Sequence, residues 1–107
     1  MINLERIHML KGMLENEPQD LFLNYALGME FLNDASDLLQ AKQQFQKVLI
    51  LEPDYIPAFY QLGKLCELIG EKSEAMSYYQ KGLELAKSQK NNKAMNEFGE
   101  AIFMLED

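Results

Sequence analysis

Residues 60–80 read YQLGKLCELIGEKSEAMSYYQ, with apolar side chains at helical spacing on both sides of Gly70. A further glycine, Gly63, stands inside the first of these helical stretches. An exposed mid-helix glycine costs about 1 kcal/mol relative to alanine, so some gain must offset it. We read that gain as packing: another helix passes too close to Gly63 for a side chain to fit.

Working outward, the same pattern occurs twice. YALGMEFL (25–32) aligns with YQLGKLCEL (60–68) at Tyr25 and Tyr60, Leu27 and Leu62, Gly28 and Gly63, each pair 35 residues apart. QAKQQFQKVLIL (40–51) aligns with EAMSYYQKGLEL (74–85) at Ala41 and Ala75, Phe45 and Tyr79, Leu49 and Leu83, each 34 apart. The one-residue difference falls in the turn around Asn33 to Asp37. Two helix pairs therefore repeat, and within each the glycine is expected to face the alanine, Gly63 on Ala75 and Gly28 on Ala41. Phe59, Leu62, Cys66, Tyr79 and Leu83 are the expected core around the second crossing.

Breaks occur at 16–20, 33–37, 52–54, 70–73 and 88–92, which leaves six helices joined by short turns. Pro18 and Pro53 have no amide hydrogen to continue a helix, and Asp20 and Asp54 follow them as candidate N-caps. Pro57 belongs in a first turn, and Gly70 suits the left-handed residue that closes a helix. Asp34, Ser36 or Asp37 caps the helix that follows. Leucine, alanine, glutamate, lysine, glutamine and methionine dominate, without alternating β-branched runs, as in an all-α chain.

A period of 34 with Leu-Gly in the first helix and Ala, an aromatic and Pro through the second resembles the tetratricopeptide repeat. Leu27-Gly28, Phe31, Ala41, Phe45 and Pro53 match in one unit; Phe59, Leu62-Gly63, Ala75 and Tyr79 match or nearly match in the other. Asn24 departs where the family has Trp, Val48 replaces a small residue, and Lys87 stands at the Pro position, so that helix should run on or bend away. The flanks resemble it more faintly. Leu14 and Pro18 echo Leu49 and Pro53, and Met95, Phe98, Ile102 and Leu105 form the stripe of a closing helix. The resemblance implies an α-α superhelix in a single domain, 1–107, of a small stand-alone protein. Residues 1–17 would be a half-repeat, 18–54 and 55–88 two repeats, and 89–107 a cap that covers the second unit.

Size and charge narrow the function. At 107 residues the chain suits one domain, and its longest aliphatic run, Val48 to Leu51, is far short of a membrane span. The start, Met1 to Arg6, has neither a basic nor an apolar leader character, so the expected location is cytoplasmic. Net charge is −7. Lys81, Lys87, Lys90 and Lys93 lie near one another, but Glu84 interrupts them and no aromatic is interleaved, so they read as a solvated face and not a nucleic-acid site. A lone Cys66 and a lone His8 form no zinc site. Glu67, Glu71 and Glu74 lack a nearby base or second ligand set. No enzyme, cofactor or metal is expected.

In the resembled family the first helix of each pair lines a concave groove that receives peptides. The residues implied for such a partner surface are Phe22, Tyr25, Met29 and Leu32 in the first unit, then Tyr60, Lys64 and Glu67 in the second, with Lys93, Asn96 and Glu100 as the far wall. Leu23, Leu27 and Phe31 already give the first of these helices a core stripe, so its second apolar side is either a partner site or core covered by helix one or the chain's ends. Some family members clamp the acidic tail of heat-shock chaperones; the matching residues are Tyr25, Met29, Gln61, Lys93 and Glu97, of which only Lys93 fits. That clamp is not expected. Two functions follow from the resemblance: an adaptor for a protein or peptide partner, or a module that forms a homodimer through its groove or solenoid ends, where Phe103 and Met104 fall off the closing stripe.

Overall fold

A computed structural model describes residues 4–34 and 37–106. Six helices follow in order: α1 (Leu4–Asn16), α2 (Leu21–Asp34), α3 (Leu38–Leu51), α4 (Ile56–Leu68), α5 (Lys72–Ser88) and α6 (Asn92–Leu105). Among the described residues there is no strand. No helix there is long and apolar enough to cross a membrane.

Local chemistry sets the helix ends. Asp20 accepts from the Leu23 amide at 2.8 Å and so starts α2 as expected. Of the three candidates for α3, Asp37 is the cap, its carboxylate accepting from the Gln40 amide at 3.3 Å; Ser36 lies outside the described residues. Asp54 does not cap α4. The helix begins one residue later, after an extended Tyr55 whose side chain makes no capping bond, with Pro57 in the first turn. Gly70, at φ +83°, closes α4 through paired bonds, Glu71 N–H to Cys66 C=O at 2.8 Å and Gly70 N–H to Glu67 C=O at 3.1 Å. Past Lys87, α5 runs on to Ser88 and closes by the same pair of bonds around Lys90, held at φ 56°.

The chain divides into two compact units, Met1–Pro53 and Asp54–Asp107. In the first, α2 packs on α3 and α1 packs on α2. Gly28 meets a ring: a Cβ added there would come within 2.8 Å of Phe45, itself fully buried. Leu23, Leu27, Phe31, Ala41 and Val48 complete the core, to which α1 adds Ile7 and Leu10. Arg6 pairs with Glu30 at 2.6 Å, and Lys11 Nζ lies 5.7 Å from the centre of the Phe31 ring. Asn24, at the family's Trp position, is fully buried and satisfied. Its Nδ2 donates to the carbonyls of Pro18 and Asp20, at 3.1 and 2.8 Å, and its Oδ1 accepts from Gln44 Nε2 at 2.5 Å.

In the second unit α5 lies between α4 and α6. Gly63 sits under the Tyr79 ring and Gly82 under the Phe98 ring, and a Cβ at either would overlap its ring. The nearest atoms to each glycine are therefore those of an aromatic ring, while Ala41 and Ala75 are fully buried. A flat ring laid on bare backbone fills the crossing more completely than two small side chains would. Burying such a side chain contributes roughly 1.5–3 kcal/mol, which exceeds the lost helix propensity of about 1 kcal/mol. Phe59, Leu62, Cys66 and Tyr79 are core as expected, but Leu83 is only half-buried. On α6, Ala94 and Phe98 are buried against this unit, while Met95, Ile102 and Leu105 are half-buried.

Candidate partner-binding surfaces

The first unit presents one face of α2. Phe22 is 75% exposed, and Tyr25, Met29 and Leu32 are half-buried. Tyr25 makes an edge-on contact with Phe45, centroids 5.5 Å apart, so this residue rests against α3. From α1, Arg6 reaches Glu30 and Lys11 reaches the Phe31 ring.

In the second unit Tyr60 is the central residue. Its ring packs against Tyr79 and Phe98 at centroid separations of 6.0 and 5.7 Å, and Lys64 Nζ lies 5.6 Å from the centre of the Tyr60 ring. These contacts hold a half-buried tyrosine between two clefts. One, about 310 Å³, is bounded by Ile56, Pro57, Gln61, Asn91, Lys93, Ala94 and Glu97. The other, about 390 Å³, is bounded by Lys64, Glu67, Tyr79, Glu97, Glu100, Ala101 and Met104. Tyr60, Lys64, Lys93 and Glu100 are thus brought to one side of the unit. Glu97 lines both clefts and Asn96 neither; positions 93, 97 and 100 share a helix face as well as 93, 96 and 100 do, and only the packing of α6 on α5 decides between them.

The electrostatics of the second cleft differ from a simple cationic anchor. Lys64 is directed over an aromatic face, and three carboxylates, Glu67, Glu97 and Glu100, line the same cleft. Glu67 accepts from the Tyr79 hydroxyl at 2.5 Å. Burial, and then this bond and the Glu67 charge, push the Tyr79 hydroxyl well above its usual range. Tyr79 is therefore a fixed donor. Nearby, the ligand atoms of Cys66, Glu71 and Glu74 lie within 4.8 Å of one another, with the sulfur buried. His8 is exposed on α1.

Antiparallel helix pairs, recurring at about 34 residues with a glycine under an aromatic ring in each, define a helical-repeat module. No family model matches the sequence, and no curated protein matches it. Solved structures do. A solution structure of a tetratricopeptide repeat domain protein from Salinibacter ruber is 31% identical, over 83% of this chain and 89% of that one, with a TM-score of 0.76. A crystal structure of a tetratricopeptide repeat domain protein from the same organism is 31% identical over 81% of this chain and 97% of that one, with a TM-score of 0.74. A solution structure of a protein from Bordetella parapertussis shares the fold, at 22% identity over 92% and 85% of the two chains and a TM-score of 0.81. The chain belongs to the tetratricopeptide repeat family.

Proposed function

We propose that this chain is a non-enzymatic adaptor that binds a peptide or a helix of another protein. The surface we assign to that role is the side of the second unit around Tyr60, Lys64 and Lys93; in the first unit, the α2 face of Phe22, Tyr25, Met29 and Leu32 is a separate candidate surface. The observation that carries it is the pair of open clefts on either side of the half-buried Tyr60 ring. A ring fixed by two aromatic neighbours offers apolar area at little entropic cost, as interface anchors do.

Charge specifies the partner further. Three carboxylates against one engaged ammonium favour a lysine or arginine of the partner beside Glu97 and Glu100, with its aliphatic stem along Met104. The test is selection from a random peptide library on the immobilised protein, followed by titration of the recovered peptides. Peptides carrying a basic residue next to an apolar anchor are expected, and E97K/E100K should weaken them at least tenfold without loss of helicity. Recovery of no peptide, or binding indifferent to E97K/E100K, Lys93→Glu and Phe22→Ser alike, contradicts the assignment.

A further inference from the structure

Three glycines in this chain lie under an aromatic ring from a neighbouring helix: Gly28 under Phe45, Gly63 under Tyr79 and Gly82 under Phe98. Gly99 breaks the pattern. It sits in the middle of α6, is exposed, and has nothing within 4 Å of the position a Cβ would take. A mid-helix glycine without a close neighbour loses helix propensity with no packing to offset it. One turn further along the same face, Phe103 is 77% exposed, with no aromatic partner and no glycine beneath it among the described residues. Helix α6 thus carries both halves of the contact that the chain uses three times elsewhere, an open backbone and a free ring, and joins neither.

We propose that a second copy of the chain covers this face, with two α6 helices crossing antiparallel about a two-fold axis. In such an interface residue i meets residue j while j meets i. Phe103 of each copy then lies on Gly99 of the other, and both unmatched halves are used at once. Gly99 lets the helix axes approach to the short end of the usual range, about 8 Å. Met95 and Ile102, half-buried at i−4 and i+3 from Gly99, flank the crossing on the same face.

Other elements fit less well. Gly12 on α1 is also open, but α1 contains no phenylalanine or tyrosine to return the contact. Phe22 is an exposed ring on α2, yet the glycine of that helix, Gly28, already lies under Phe45. One helix pair is a small interface, so association should be weak and visible only in a concentration series.

The test is sedimentation equilibrium of the full chain over a wide concentration range. Wild type should pass from monomer to dimer mass. Phe103→Ala removes the ring and Gly99→Leu fills its seat, and each alone should weaken the dimer at least tenfold. Both positions are exposed, so the melting temperature of the monomer should not fall. Mixed in equal amounts, the two variants should recover dimers, because a heterodimer keeps one intact contact, with Phe103 from the Gly99→Leu copy seated on Gly99 of the Phe103→Ala copy. Phe22→Ser, on the face assigned to the peptide partner, should dimerise like wild type. A wild-type chain that stays monomeric throughout leaves the face to a different occupant and overturns the proposal. So does a dimer that survives both single variants, or a mixture that recovers nothing.

Discussion

The Tyr79 hydroxyl donates to Glu67 at 2.5 Å while its ring covers the backbone of Gly63, so one side chain both fills the α4–α5 crossing and satisfies its own polar end. The folded state holds the Tyr79 proton more tightly than the unfolded chain does, where the value is near 10. Stability is therefore unaffected below about pH 10 and declines as pH rises above it.

Phenolate absorbance should show the Tyr79 hydroxyl ionising only as the protein unfolds. Tyr79→Phe should lose about 1 kcal/mol at neutral pH and shallow the alkaline decline by one proton. An unchanged decline in the variant would assign the alkaline sensitivity to other groups.

Asn24 makes three bonds from a fully buried position, two of them to the turn that precedes α2. Asn24→Ala strands the Pro18 carbonyl and the Gln44 amide and should cost about 2–3 kcal/mol in urea denaturation. A loss below about 0.5 kcal/mol would mean that water replaces the amide freely.

Lys90 holds a left-handed conformation, φ 56°, in the turn between α5 and α6. Lys90→Gly removes the Cβ conflict and should raise stability by about 1 kcal/mol. Asn91→Ala should act oppositely by about the same amount, since Asn91 accepts from the Ala94 amide at 3.1 Å as the α6 cap. Equal effects of one sign from both changes would contradict this account of the turn.

Much of this architecture was legible because helical spacing and backbone chemistry leave local marks. Pro18, Asp20 and Gly70 punctuate the chain where the helices end, and the equal offsets of Gly28 and Gly63 mark them as close crossings. What sits on those glycines was harder to read. An alignment pairs small residue with small residue, whereas the space is filled by Phe45 and Tyr79, whose reach across the crossing depends on rotamer and helix rotation. Lys90 gave no sign of its left-handed turn because lysine is not a residue that prefers it. Asp54 misled for the converse reason: it is a good capping residue type, but it stands one position before Tyr55, the residue that precedes α4. On α6, the stripe logic set Asn96 beside Lys93 and Glu100, whereas Glu97 lines the clefts, since a helix face alone does not say which way α6 is turned.

The most direct test of the central claim, that glycine is kept where a ring lies on the backbone, is to compare Gly63→Ala with Gly99→Ala in urea denaturation at low protein concentration. Gly63→Ala drives a methyl into the Tyr79 ring and should cost about 1–3 kcal/mol despite alanine's better helix propensity, whereas Gly99→Ala meets open space and should gain about 0.4–1 kcal/mol. If both substitutions stabilise the fold alike, the ring-on-glycine crossing is not what holds these helices together.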